Sequence, residues 1–207
     1  MQRKWLFLIA VAVSLVALDQ WTKYLVVDAL TRRLDNETTL SGKLGAFFSS
    51  PGEAGADGLR FRPKRAITVS RNFFRLRYAE NPGAAWGLFR SLPEHIRVPM
   101  FHVVSLGAVG LIAYYFSKLT GQKSERWAFF GLPLVLGGAL GNYVDRLTRG
   151  FVVDYLEAHW MDRATWPSFN VADTSIVIGV GLLLLDSFVR KEAPAALPQD
   201  TGTARPS

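Results

Sequence analysis

Four stretches of this chain, Trp5 to Val27, Val98 to Phe116, Trp127 to Val144 and Ala172 to Val189, each hold close to the roughly 20 apolar residues that a helix needs to cross a bilayer. Hydrocarbon offers no partner for backbone N–H and C=O groups, so each stretch must satisfy its own as an α-helix. The expected fold class is therefore a mainly α membrane protein with four transmembrane helices. Composition agrees: 49% of the 207 residues are hydrophobic and 6 are Trp, too apolar for an ordinary soluble domain. The first stretch, preceded by "MQRK", has the make-up of a cleaved signal peptide. No small-x-small cleavage site follows, however, and "WTKYLVVDAL" carries the apolar pattern past Asp19, so a retained span is expected.

Several chemistries drop out early. The chain has no Cys, which removes disulfides, thiol nucleophiles and thiolate metal sites. Its three His show no ligand spacing, so neither a metal nor another cofactor is expected. The net charge of +7 sits between and beside the apolar stretches rather than along one face, so no nucleic acid is expected as a partner. There is no G-x-S-x-G, which leaves a serine hydrolase unsupported. His102 and His159 read as satisfied polar groups near span ends.

Basic flanks set the expected orientation. Arg3 and Lys4 precede the first span, Lys118, Lys123 and Arg126 lie between the second and third, and Arg190 and Lys191 follow the fourth. All three flanks, and with them both termini, are expected in the cytoplasm. The long segment from Asp28 to about Arg97 then lies outside, because loops of that length cross largely regardless of charge. Within it, 35–64 is rich in Gly, Ser and Thr and reads as a flexible excursion. Phe74, Leu76 and Tyr78 alternate with Arg75 and Arg77 as in a strand, and Asn81-Pro82-Gly83 follows as a turn. The link from Arg146 to Asn170, with Trp160 and Trp166, reads as an interfacial stretch.

This topology gathers acids. The first span carries Asp19 outward about 21 Å beyond Trp5 at about 1.5 Å per residue. The third ends at Asp145, the fourth begins at Asp173, and Asp154 follows on the same side. Asp186, at the other end of the fourth span, reads as an interfacial charge. Two pairs recur, Asn142-x-x-Asp145 and Asn170-x-x-Asp173, and a three-residue spacing stacks side chains on one helix face. Each Asn is thus placed to donate to an acid, while Asn170 equally reads as a helix N-cap. Gly137, Gly138 and Gly141 read as close-packing positions. Two carboxylates in one partly desolvated site do not both ionise easily, so one holds a proton while the other accepts one from water. Asp19 and Asp145 have a competing role in ion pairs, with Lys23, Arg146 and Arg149 as candidate partners. A proton or cation path is the alternative to a hydrolytic pair, but acids collected at one leaflet suit a site better than a conduit. A secreted soluble protein, the third reading, strands three further apolar spans.

"DQWTK" at 19–23, "NPGAAWGLF" at 81–89, "GGALGNYVDRLTRGFVVDYL" at 137–156 and "FNVADTSIVIGVGLLLLD" at 169–186 together make the chain resemble the lipoprotein signal peptidases. These are bacterial intramembrane aspartyl peptidases, also called signal peptidase II. The resemblance implies a catalytic dyad of Asp154 and Asp173, with Asp19, Lys23, Asn81, Gly83, Asn142, Asp145, Arg146 and Asn170 binding substrate or supporting the site. It implies four transmembrane helices, a small extracytoplasmic β-cradle and an interfacial loop, in a bacterial cytoplasmic (inner) membrane, with the site near its external face. The implied substrate is a diacylglyceryl prolipoprotein, cut before the lipidated cysteine, membrane lipid is a partner, and globomycin the expected inhibitor. The expected division is 1–27 and 98–191 in the membrane, 28–97 outside, and a disordered cytoplasmic tail at 192–207. Trp86 and Tyr155 stand where the family usually has Phe, and 35–68 looks like an insertion.

Overall fold

The computed structural model describes residues 2–50, 52, 58–84, 87–161 and 163–192. Trp86 and the tail after 192 lie outside them. Four long helices are apolar enough to cross a membrane: α1 (Gln2–Leu30), α3 (Glu94–Lys118), α4 (Arg126–Arg149) and α5 (Val171–Glu192). A shorter α2 (Leu40–Phe48) precedes a four-stranded antiparallel sheet, β1 (Ile67–Ser70), β2 (Phe74–Asn81), β3 (Val152–Trp160) and β4 (Ala164–Thr165), in the order β1-β2-β3-β4.

Helix α4 is the hub, touching α1, α3 and α5. Lipid is as apolar as Leu, so close backbone approach rather than hydrophobicity drives this packing. A Cβ added to Gly131 would lie 2.8 Å from the Gly179 carbonyl oxygen, and one on Gly138 would strike the Ala172 carbonyl. The glycines therefore set the α4–α5 distance, and with it the position of Asp173. Away from the sheet, Asp186 is buried rather than interfacial. Its Oδ1 accepts the Ala128 N–H at 3.1 Å, so α5 caps the positive N-terminal end of α4.

Two findings depart from the sequence reading. The link at 146–170 is not merely interfacial, because its residues 152–160 form the sheet strand β3, and 152–155 are buried in an unbroken run. A strand covered on both faces loses the alternation by which strands are recognised. The 35–68 insertion, expected to be flexible, contains α2, N-capped by Thr39 Oγ1 accepting from the Gly42 N–H at 3.1 Å. Phe47 and Phe61 of this insertion are 0% and 1% exposed. They join Tyr24, Leu30, Tyr78 and Val153 in one core behind the sheet, Phe61 stacking on Tyr78 at 6.0 Å and lying edge-on to Phe151 at 5.5 Å.

That packing sets an expectation. Phe61→Ala should destabilise the outer region by about 3–5 kcal/mol, as for other buried Phe truncations. Unfolding in mixed micelles measures it, and an unchanged midpoint would mean that the insertion does not pack.

Candidate active site

Strand pairing places the first acid. Asp154 on β3 faces Ala79 on β2, while Asn81 faces Val152, so Asn81 is the diagonal same-face neighbour of Asp154. The Asn81 Nδ2 donates to Asp154 Oδ2 at 3.1 Å, and the Gly83 N–H occupies Asn81 Oδ1 at 3.0 Å, which fixes the direction of the amide. The Gly83 carbonyl accepts Arg146 Nη2 at 3.1 Å, and the same guanidinium lies 4.3 Å from the Phe101 ring centroid. A side chain at Gly83 would meet the Leu88 carbonyl at 2.5 Å.

A helix cap places the second acid. Asn170 Oδ1 accepts the Asp173 N–H at 2.9 Å and Asp173 Oδ2 accepts the Asn170 N–H at 3.1 Å, a reciprocal box at the start of α5. The N-cap reading of Asn170 therefore holds, and the amide nitrogen remains available. Backbone bonds between Phe169 and Leu156 press this turn against β3, where Asn170 Nδ2 donates to Asp154 Oδ1 at 2.8 Å and to the Val153 carbonyl at 3.3 Å. One residue thus contacts both acids.

Asp19 and Asp145 are placed differently. Lys23 Nζ lies 2.7 Å from Asp19 Oδ2, 3.1 Å from Asp145 Oδ2 and 3.1 Å from Asn142 Oδ1, so its three donors have three acceptors. Arg149 pairs with Asp145 and donates to Gln20 Oε1 at 2.9 Å and the Phe47 carbonyl at 3.0 Å. Two cations balance two anions, all buried, as desolvated charges require. The ion-pair role therefore accounts for both acids. Arg146, the other candidate partner of Asp145, turns instead to Gly83 and Phe101. Because an ammonium only donates, Asn142 must present its oxygen to Lys23 and its nitrogen elsewhere. That nitrogen reaches Asp173 Oδ1 on α5 at 2.7 Å, not Asp145 three residues along its own helix.

Two participants escaped the sequence reading. Gln20 donates to Asp145 Oδ1 at 2.8 Å and to the Gly141 carbonyl at 3.1 Å, and its signal was a polar side chain beside Asp19 in an apolar segment. Glu80 Oε1 accepts from the backbone of Arg60 and Phe61 at 2.7 and 2.8 Å and from Tyr78 Oη at 2.9 Å. It ties the insertion to the residue beside Asn81, and no local pattern marks it. Burial pushes its carboxyl up, against the pull of those donors.

Asp154, Asp173, Asn81, Asn142 and Arg146 line one cavity of about 680 Å³, whose far wall is apolar and includes Ile176, Val177 and Ile178. Val177 is 71% exposed on the outer surface of α5, so the cavity reaches the lipid-facing side of the bundle. Burial first, and then the charge of Asp173, push the Asp154 carboxyl up to about 8. Among the described residues, no group of three or more His, Asp or Glu could hold a metal ion. Chemically, two carboxyls in one partly desolvated space offer a proton donor and a proton acceptor. His102, edge-on to Tyr143 at 5.5 Å, and the buried His159 line no part of it.

Known proteins resemble this chain. The chain is similar to the lipoprotein signal peptidase of Anaeromyxobacter sp. (strain Fw109-5), with 44% identity over 211 residues, 99% of this chain and 95% of the relative. It is also similar to that of Syntrophotalea carbinolica, 42% identical over 120 residues, 58% of this chain and 71% of the relative. A bacterial membrane enzyme solved by the in meso method at 2.3 Å shares the fold, with a TM-score of 0.64 at 24% identity over 92% of this chain and 93% of the other. The family model for signal peptidase (SPase) II matches residues 11–189, and the chain belongs to that family.

Proposed function

We propose that the chain removes the signal peptide of a diacylglyceryl prolipoprotein by cutting the peptide bond before the lipidated cysteine, with Asp154 and Asp173 as the catalytic dyad. The observation that carries this reading is Asn170, a single residue hydrogen-bonded to both acids at the polar end of a cavity whose other wall faces lipid. A substrate anchored by two acyl chains arrives laterally from the bilayer, and this opening suits it. The orientation is N- and C-terminus in the cytoplasm of a bacterium, with the site near the external face of the inner membrane. The four helices within 1–27 and 98–191 span the membrane, and 28–97 supply outer structure that completes the sheet with β3 and β4.

Asp154, raised toward neutrality by burial and by the charge of Asp173, holds the proton, and Asp173 is the acceptor. In the reaction Asp173 removes a proton from water as the oxygen bonds to the scissile carbonyl carbon. Asp154 gives its proton to the amide nitrogen as the C–N bond breaks. Asn81 and Asn142 keep both carboxyls aimed into the cavity, and Arg146 steadies the 81–83 turn. Globomycin, as a peptide ligand of the family site, should compete for the cavity.

Four outcomes are expected. Asp154→Asn and Asp173→Asn, each inserted normally, should lose about 10²- to 10⁴-fold in turnover of a diacylglyceryl prolipoprotein, and full activity of either variant removes the dyad assignment. The general acid must be protonated, so kcat/KM should fall as pH rises through about 8. The Asn81 bond favours the ionised form, so Asn81→Ala should move that limb to higher pH, whereas a shift to lower pH would assign the proton elsewhere. Lys23→Met leaves two buried carboxylates with only Arg149 and should cost about 3–5 kcal/mol in an unfolding titration, a penalty that Asp19→Asn in the same chain should relieve.

A further inference from the structure

The outward arc of α2 is mostly apolar although the helix lies outside the four spans. Leu40, Leu44 and Phe48 recur every fourth residue, so they form one stripe, and they are 65%, 39% and 40% exposed. The one charged residue of α2, Lys43, points away from the stripe and pairs with Asp28 at 2.8 Å. A helix facing water carries charged and polar residues outward, whereas this one exposes Leu40, Leu44 and Phe48 with only the small Ser41 and Gly45 beside them.

The stripe continues the lipid face of α1. Leu18, Trp21 and Leu25 are 49%, 57% and 46% exposed. Trp21 stacks on Tyr24 at 5.7 Å, and Tyr24 meets Phe47 of α2 edge-on at 5.6 Å. Trp is the residue that settles at headgroup level. Behind α2 sits the charge of Arg149, 4.3 Å from the Phe47 ring centroid and hydrogen-bonded to the Phe47 carbonyl in the last turn of the helix.

We infer that α2 is seated in the bilayer leaflet on the side of the acids, with Leu40, Leu44 and Phe48 among the acyl chains and Arg149 sealed beneath it. The insertion then has a role: it covers, with an interfacial helix, the end of the bundle where the buried ion network would otherwise meet lipid. The inference rests on α1 crossing the membrane and not on the dyad.

The absence of Cys makes the test clean. Single variants Leu44→Cys and Phe48→Cys of the full chain are spin-labelled and reconstituted in phosphatidylethanolamine–phosphatidylglycerol liposomes. Val13→Cys, on the lipid face of α1, and Arg77→Cys, on the exposed side of the sheet, serve as references. Thermal unfolding like that of the parent chain establishes that each variant is folded, independently of cleavage. The expected result is a collision rate with a nickel chelate several-fold below that at 77, and oxygen accessibility close to that at 13. Nickel accessibility equal to that at 77 overturns the inference by placing the stripe in water. Dipolar broadening that disappears on dilution with unlabelled protein overturns it too, by placing a second copy on the stripe.

Discussion

Lys23 carries three ammonium protons into a region of low dielectric, and the arrangement of the site follows from where they go. Two reach Asp19 and Asp145, which together with Arg149 make the cluster neutral. The third reaches the oxygen of Asn142. An ammonium cannot accept a hydrogen bond, so the amide of Asn142 has only one orientation, with its nitrogen on Asp173. Asn81 and Asn170 are turned the same way, each with its oxygen held by a backbone N–H and its nitrogen on Asp154. Three asparagines thus present donors to the two acids, and the charges needed to hold one of them are kept out of the cavity.

The two acids come from elements of different kind, and each is set by a local rule. Asp154 follows strand register, which decides what stands diagonal to it. Asp173 follows helix capping, which ties it to the backbone of Asn170. Their meeting needs a third condition, the backbone bridge between Phe169 and Leu156 that lays the start of α5 along β3. Both acids thus stand on regular elements, one on a strand and one in the first turn of a helix, and not on loops.

The insertion contributes to this support through side chains that look unremarkable in the sequence. Phe61 packs between Tyr78 of β2 and Phe151 before β3, and Glu80 fastens the backbone at 60 and 61 beside Asn81. A segment that does not line the cavity therefore shapes the strand that carries Asn81. Its Gly and Ser content hid this, because two buried aromatics in a non-periodic stretch leave no pattern to read.

The sequence by itself determined the four long apolar helices and the grouping of the acids at one end, because hydrocarbon demands long apolar helices and the alternation of their directions brings those acids together. The motif-level likeness also pointed correctly to the family. Tertiary structure alone decided partners: that Asn142 serves Asp173 rather than Asp145, that Arg149 and not Arg146 pairs with Asp145, that 152–160 is a strand, and that α2 packs. Spacing along a chain states which groups share a helix face. Which atom of an amide turns toward which neighbour depends on the donors and acceptors that other segments bring, and those exist only once the helices and sheet have come together.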